Sequence, residues 1–165
     1  MKTKLQKIVQ ILSEKYEINE WWKKYTPFET LVSIILSQRT YWKNVKTATE
    51  RFGERFNGVV DVAKASVKEI EKVIKPAGLY RIRARRIKNI AKDLVEKYDG
   101  KLDKILNLPY DEAKKKLITI KGIGPKTVDV FLMAIKGEQV LPVDVHIFRI
   151  MKRLKMPVKE MTMRV

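Results

Sequence analysis

Apolar residues recur at three- and four-residue spacings along nearly the whole chain, and no alternating strand pattern lasts longer than a few residues. In an α-helix this spacing places apolar side chains on one face, which can be buried against a neighbouring helix. We therefore predict an all-α fold. The 165 residues suit one domain or two small lobes, and the 45% hydrophobic content argues against a disordered chain.

Capping residues predict where the helices begin and end. Thr26-Pro27-Phe28-Glu29 combines a capping hydroxyl, a proline at the first helical position and a glutamate three residues after the cap. Ser66 and Glu69 repeat the capping spacing, whereas Asn57-Gly58 and Asp99-Gly100 are stop signals. The predicted helices cover about 5–12, 27–36, 42–56, 66–75, 80–98, 102–108, 111–118, 125–135 and 145–154.

The charge balance is the strongest compositional signal of function. The sequence has 36 Lys and Arg against 19 Asp and Glu, a formal net charge of +17. This surplus favours a nucleic acid partner, because neutralised phosphates release counterions. The alternative is a charge-rich surface of the kind found in heat-stable proteins. Residues 1–10 do not resemble a secretory signal and no stretch approaches the ~20 apolar residues of a membrane helix, so we expect a cytoplasmic, nucleoid-associated protein.

The predicted helix from Tyr80 has an apolar stripe on one face and a basic face opposite it. The stripe comprises Ile82, Ile87, Ile90, Leu94 and Val95. The opposite face carries Arg81, Arg83, Arg85, Arg86 and Lys88. Such a face is either an ordinary solvated surface or one side of a phosphate track, and we take Arg81 and Arg83 as candidate nucleic acid contacts.

The segment 117–128 indicates a helix, a four-residue turn with two glycines and a second helix. Gly122 and Gly124 would allow a positive φ and a close approach of the main chain to a ligand. Pro125 fits the start of the second helix, whose free N–H groups favour an anion. We predict a phosphate-binding corner, with a plain corner between two helices as the alternative. Its candidate contacts are Lys121, Gly122, Ile123, Gly124 and Thr127.

This hairpin resembles that of the endonuclease III-type helix-hairpin-helix DNA glycosylases. Their signature is a Gly-x-Gly hairpin followed by a lysine and, after the second helix, an aspartate in a Val-Asp-x-His context. Here the lysine is Lys126 and the aspartate is Asp144, 18 residues further on. The resemblance extends upstream through 36–40 and 78–80 and covers most of residues 26–154.

The resemblance implies a six-helix barrel over residues 23–136, with the helix-hairpin-helix at 111–135. Residues 1–22 and 137–165 would form part of a second lobe, which carries Asp144. Typical members continue to four cysteines that bind an iron–sulfur cluster. This chain has no cysteine, so we expect no cofactor. The sequence is either a truncated form or a minimal one.

The chemistry of these two residues follows from their types. A lysine at a helix start, near Lys121 and facing a partly desolvated substrate, would have its amine form favoured. Attack of Lys126 on a sugar C1′ gives a Schiff base, which permits β-elimination of the 3′ phosphate. Asp144 could stabilise a cationic sugar as the base leaves or move a proton. The alternatives are a simple phosphate contact for Lys126 and a helix N-cap for Asp144.

Three further residues match family positions that fill or open the duplex where a nucleotide is extruded. They are Gln38, Leu79 and His146. Extrusion costs stacking and pairing energy, so side chains must occupy the gap. Ordinary packing or structural roles are the alternatives, and a lone histidine excludes a multi-histidine metal site. Arg39 and Tyr41 depart from the family pattern beside the expected pocket and leave the preferred base open.

These features predict a bifunctional DNA glycosylase and abasic-site lyase that acts as a monomer. It would remove damaged, oxidised pyrimidines from double-stranded DNA and cleave the abasic site, without membrane contact. One alternative is a thymine or uracil mismatch glycosylase, which needs no lyase step and against which Lys126 weighs. The other is a non-catalytic helix-hairpin-helix module that only binds DNA.

Overall fold

The computed structural model describes residues 4–17 and 20–156, and within these ranges the fold contains helices and no strand. The prediction of an all-α fold is therefore confirmed. The α-helices are α1 Lys4–Lys15, α2 Pro27–Ser37, α3 Trp42–Arg55, α4 Gly58–Lys64, α5 Val67–Ile74, α6 Tyr80–Tyr98, α7 Asp103–Leu106, α8 Tyr110–Ile118, α9 Pro125–Lys136 and α10 Val145–Arg153. Two 3₁₀ turns span Trp21–Lys24 and Lys75–Ala77.

The two predicted capping boxes are present and begin α2 and α5. The Thr26 hydroxyl accepts the Glu29 N–H at 3.3 Å, and the Glu29 carboxylate accepts the Thr26 N–H at 2.8 Å. Ser66 and Glu69 make the same pair of bonds at 3.2 and 2.8 Å. Each box satisfies N–H groups that a helix start otherwise leaves without a partner.

Helix α4 was not predicted, because Asn57-Gly58 indicated only the end of α3. Gly58 has a φ of 82°, which turns the chain sharply. The Asp61 carboxylate then accepts the Asn57 N–H at 3.0 Å. The stop signal of α3 is thus also the start of α4, whose Val59 and Val62 are buried.

Helix α6 packs against α4, α5 and α2 with most of the predicted apolar stripe, except at its first residue. Arg83 is buried, in register with Ile87, Ile90 and Leu94, whereas Ile82 is 68% exposed. Successive buried positions are three or four residues apart, so the face that begins at Arg83 leaves Ile82 outside it. The predicted stripe is therefore wrong at Ile82.

Helices α8 and α9 pack against each other, and α9 also packs on α2. Their facing side chains, including Leu117, Val128 and Phe131, are fully buried. A polar cluster joins the outer side: the Tyr110 hydroxyl donates to the Asp129 carboxylate at 2.8 Å, and Lys114 lies 2.7 Å from the same oxygen. These contacts fix the two helices relative to each other, and with them the two ends of the hairpin that connects them.

Helices α1 and α10 are amphipathic, and within the described ranges neither has a buried residue. The Lys4 ammonium donates to the Leu154 carbonyl, which joins α1 to the end of α10. The division into a barrel at 23–136 and a partial lobe at 1–22 and 137–165 stays a prediction, and residues 157–165 lie outside the described residues. In the described part of the chain, no helix is both long and apolar enough to cross a membrane.

Candidate active site and nucleic acid interface

The turn between α8 and α9 uses its two glycines for different reasons. Gly122 has a φ of 103°, and a Cβ there would lie 3.0 Å from the Arg86 Cγ. Gly124 has a φ of −95°, and a Cβ there would meet nothing within 4 Å. The predicted positive φ is confirmed at Gly122 and is wrong at Gly124. The second glycine instead leaves open space at the start of α9.

Two residues predicted to contact nucleic acid in this turn point into the core. The side chains of Ile123 and Thr127 are buried, at 5% and 6% exposure. The Ile123 N–H also donates to the Ile120 carbonyl at 3.1 Å. Both side chains are therefore core groups. The Ile123 N–H is already bonded within the turn, so of these two residues only Thr127 leaves an N–H available for a ligand.

The start of α9 presents main-chain donors beside a cation, and anion binding there stays a prediction. Gly124 provides no capping side chain, and among the described residues no other side chain caps this end. Pro125 has no N–H, so the N–H groups of Lys126 and Thr127 remain as donors at the positive end of a 12-residue helix. Lys121, on the preceding turn, is exposed and adds a cation.

Lys126 and Asp144 lie together, although they are on different helices. The Lys126 Nζ is 3.4 Å from the Asp144 Oδ2, and the two side chains are 55% and 31% exposed. Asp144 Oδ1 accepts the N–H groups of His146 and Ile147, both at 2.9 Å, and so caps α10. The carboxylate thus uses one oxygen to fix its own position and presents the other to the lysine.

The environment of Asp144 favours its ionised form. Burial raises the pKa of this carboxyl, but the N–H of Ile147, the charge of Lys126 and the N–H of His146 together outweigh burial and lower the pKa. A carboxylate with a lowered pKa is a weak proton acceptor and a good stabiliser of nearby positive charge. The protein alone does not desolvate Lys126, whose side chain is more than half exposed, so desolvation would have to come from a bound ligand.

One exposed loop follows the end of α2, and another precedes the start of α6. Gln38 and Arg39 follow α2, both exposed, and Arg39 has a φ of 56°. Leu79 precedes α6, is 61% exposed and has a φ of 47°. An open cavity of about 410 Å³ is lined by Leu79, Tyr80, Arg81 and Ile82. Gln38, Leu79 and Arg81 are thus accessible, and their contacts with nucleic acid stay predictions.

Arg83 does not belong to the accessible surface. Its side chain is 5% exposed, and its Nη1 donates to the carbonyls of Leu36 at 2.9 Å and Ala77 at 2.7 Å. The same nitrogen lies 2.8 Å from the Thr40 hydroxyl, and Nη2 donates to the Gln38 carbonyl. The assignment of Arg83 as a nucleic acid contact is wrong, because all of these donors are used inside the protein.

Arg86 is not among the predicted site residues, although it contacts two of the candidate segments. Its Nε donates to the Gly122 carbonyl at 2.6 Å, and its Nη1 donates to the Gln38 side-chain oxygen at 2.9 Å. Burial lowers the pKa of this guanidinium. Its two acceptors are 36 and 48 residues away in the sequence, so no local pattern indicates these contacts. The hairpin is held further by the Asp93 carboxylate, which accepts the Lys121 N–H at 3.3 Å.

The remaining candidates are His146 and the cofactor sites. His146 is exposed at the start of α10, two residues beyond Asp144, and its role stays a prediction. Within residues 4–17 and 20–156, no group of three or more histidine or carboxylate side chains is arranged to hold a metal ion. The iron–sulfur cluster implied by the resemblance does not fit this sequence, which has no cysteine to bind iron.

Two helices joined by a glycine-containing hairpin, with an uncapped second helix beside a lysine and aspartate pair, place this chain in the class of helix-hairpin-helix proteins. A family model described as the HhH-GPD superfamily base excision DNA repair protein matches residues 32–164. This chain therefore belongs to the HhH-GPD superfamily.

Individual relatives agree with this assignment. Endonuclease III of Thermotoga maritima is 35% identical over 132 residues, which are 80% of this chain and 58% of that protein. A solved non-covalent complex of endonuclease III with DNA has a TM-score of 0.73 at 31% identity, covering 94% of this chain and 70% of that chain. The structure of a thermostable thymine-DNA glycosylase has a TM-score of 0.69 at 25% identity, and the match covers 82% of this chain and 58% of that chain. The chain spans less than two thirds of the Thermotoga protein.

The two hairpin glycines predict different effects of the same substitution. We expect Gly124→Ala to fold normally, because its φ suits alanine and the added methyl group meets no protein atom. The methyl group would hold a phosphate away from the N–H groups of α9, and a hydrogen bond to a charged group is worth about 1.5–3 kcal/mol. Affinity for duplex DNA should therefore fall roughly tenfold, equally for damaged and undamaged duplexes.

Gly122→Ala is the matched comparison for that prediction. Its positive φ costs about 1–2 kcal/mol for alanine, and its methyl group would press on the Arg86 side chain. We expect a lower melting temperature by circular dichroism, which Gly124→Ala should not show. Loss of affinity confined to damaged DNA in Gly124→Ala would instead place the hairpin inside a base pocket.

Proposed function

We propose that the protein is a base excision repair DNA glycosylase that also cleaves abasic sites. Its substrate would be double-stranded DNA with an oxidised pyrimidine, and its lyase step a β-elimination. The observation that carries the proposal is the 3.4 Å approach of the Lys126 ammonium to the Asp144 carboxylate beside the uncapped start of α9. The endonuclease III relatives support it, and one solved relative is a DNA complex.

The first chemical step would be displacement of the damaged base. Lys126 first gives up one proton to water, and its neutral amine then attacks C1′. The C1′–N bond to the base breaks, the departing base keeps the bonding electrons, and it takes a proton from the nitrogen newly bonded to C1′. Two N–H groups fix the Asp144 carboxylate, so its negative charge would stabilise the cationic sugar without any movement of the side chain. The lowered pKa of Asp144 favours this electrostatic role over that of a general base.

The second step would cleave the strand. The bond between C1′ and the ring oxygen breaks as the Lys126 nitrogen forms a double bond to C1′, and the ring oxygen takes a proton from water. The product is a protonated Schiff base, an iminium. The iminium makes the C2′ proton acidic, and water takes this proton. A C2′–C3′ double bond forms as the C3′–O bond breaks, and the 3′ phosphate leaves with the bonding electrons. Water then hydrolyses the imine and returns the free amine of Lys126.

Borohydride trapping tests this proposal directly. Reduction of the imine joins protein and DNA permanently, so the full chain on a duplex with an abasic site should give a covalent adduct of increased mass. A panel of duplexes with single oxidised pyrimidines, uracil or a thymine mismatch should show base release from the oxidised pyrimidines. Salt-sensitive binding without adduct or base release would favour the non-catalytic module.

A thymine or uracil mismatch glycosylase is the second candidate function. The structural likeness to a thermostable thymine-DNA glycosylase favours it, and so does the exposure of Lys126, which the protein leaves solvated. Base release from mismatches without any trapped adduct would establish this alternative over the lyase. We further propose that the protein works as a monomer on nucleoid DNA in the cytoplasm.

Binding to duplex DNA should weaken steeply with salt. The net charge of +17 and the exposed cations of the hairpin and α6 would neutralise phosphates and release their counterions. If about six phosphates are neutralised, affinity should fall on the order of a thousandfold between roughly 50 and 200 mM monovalent salt. Fluorescence anisotropy with an undamaged duplex measures this slope. Affinity that does not change with salt would mean that the positive charge is a feature of the protein surface and does not contact DNA.

A further inference from the structure

Arg83 is a buried cation whose hydrogen-bond acceptors are all neutral groups. In the described part of the chain, no carboxylate forms an ion pair with it. Burial and the charge of Arg86 lower its pKa. A buried charge without a counter-ion is costly, and three carbonyl oxygens and one hydroxyl only partly replace water. The stability of the core therefore does not explain why an arginine occupies this buried position.

The acceptors of Arg83 belong to two separate loops. Leu36, Gln38 and Thr40 lie at the end of α2 and in the turn to α3, whereas Ala77 ends the 3₁₀ turn before α6. The Thr40 hydroxyl also lies 3.0 Å from the Ala77 carbonyl. One guanidinium and one hydroxyl therefore join the two loops.

Each joined loop presents one exposed residue in a left-handed conformation. Arg39 has a φ of 56° on the first loop, and Leu79 has a φ of 47° on the second. Such conformations are unfavourable for residues other than glycine and persist only where the surrounding structure enforces them. The bonds of Arg83 fix the main chain at Gln38 and Ala77, within two residues of both positions.

We propose that Arg83 is a positioning residue that holds the tips Arg39 and Leu79 ready to enter a DNA duplex together. Gln38 is a weaker candidate for the first tip, since its side-chain oxygen is bound by Arg86. Holding the tips in the free protein removes the entropic cost of ordering them on binding. This inference rests on the proposed function, because a duplex has a gap to fill only where a nucleotide is extruded.

The test compares affinity for two duplexes of one sequence, with and without a tetrahydrofuran abasic analogue. Arg83→Met should lower the preference for the abasic duplex by about tenfold, because untethered tips must be ordered during binding. Affinity for the undamaged duplex should change much less, since Arg83 is buried and makes no phosphate contact. Both values are measured at one salt concentration, below the melting temperature of every variant.

Lys88→Met is the matched control. Lys88 is also a cation of α6 that donates to main-chain carbonyls, those of Ala63 and Ala65, but its acceptors lie at the junction of α4 and α5. The control loses the same charge and a comparable set of bonds without freeing either tip. It should lower the melting temperature and leave the preference for the abasic duplex unchanged.

Two further variants keep the test decisive if Arg83→Met does not fold. Arg83→Lys retains one donor group and should restore part of the preference. Thr40→Val removes only the hydroxyl that bridges Arg83 and Ala77, and should lower the preference in a folded protein. A merely structural role would change stability in these variants without changing the ratio of the two affinities.

The outcomes separate this inference from the function on which it rests. Preference for the abasic duplex that survives in folded Arg83→Met or Thr40→Val overturns the positioning role. Equal loss of preference in Lys88→Met also overturns it, since general loosening would then be the cause. Absence of any preference in the unaltered protein overturns the proposed function itself, and the positioning role with it.

Discussion

Lys126→Gln should abolish borohydride-trapped adducts on abasic DNA while most of the affinity for the duplex remains. An imine needs a primary amine at the sugar, and glutamine offers none. Binding is shared among many cations, so the loss of one charge removes only a small part of it. Gel electrophoresis of the reduced mixture measures the adduct, and anisotropy under the same conditions measures binding.

Lys121→Gln is the control for that experiment, because Lys121 is an exposed cation of the same hairpin. We expect it to weaken binding modestly and to keep the yield of adduct per bound complex. The mechanism would be contradicted if Lys126→Gln lost its affinity while adducts still formed in proportion to the protein bound. Lys126 would then be a phosphate contact, and another amine would be the nucleophile.

Features set by neighbouring residues could be predicted from the sequence. The capping boxes at Thr26 and Ser66 form within four residues, so their geometry follows from residue type and spacing. The cap at Asp144 is local in the same way, and this predicted role is confirmed. The positive φ of Gly122 is required by a tight turn that closes on the Arg86 side chain.

Features that depend on distant segments could not be predicted. The acceptors of Arg83 at Leu36 and Thr40 are 47 and 43 residues away, and only the packing of α2 against α6 brings them together. A basic residue within a basic run is expected to lie on a solvated face. The burial of Arg83 could be inferred only by knowing that main-chain carbonyls from distant segments surround it. The exposure of Ile82 has the same origin, because the core face is fixed by the neighbours of α6.

The pairing of Lys126 with Asp144 was predicted from a resemblance and not from spacing alone. The segment between α9 and α10 contains no helix or strand, so 18 residues of separation do not determine a 3.4 Å approach. The structure brings the two groups together. Their catalytic roles stay predictions that require the substitutions described here.

Asp144→Asn should reduce the single-turnover rate of base release by about 100- to 1000-fold, a loss typical of removing one preorganised electrostatic group. Asparagine has nearly the same shape, and its oxygen can still accept the N–H groups of His146 and Ile147, so α10 should remain capped. Affinity for the undamaged duplex should hold or rise, because a negative charge near the phosphates is removed. An unchanged rate would leave Asp144 as a helix cap alone.

Asp144→Ala separates the two roles of this residue. Alanine removes both the charge and the cap, and loss of the cap costs about 1 kcal/mol of stability in addition to the lost rate.

The pH dependence of stability gives a further check on the charge of Asp144. Because the pKa of Asp144 is lowered in the folded protein, its ionised form stabilises the fold above the ordinary aspartate range, about pH 4, and this stabilisation disappears as the pH falls through the lowered value. The stability advantage over Asp144→Asn should therefore be constant near neutrality and shrink only below about pH 4, whereas an advantage that disappears between pH 6 and 8 would identify a different titrating group.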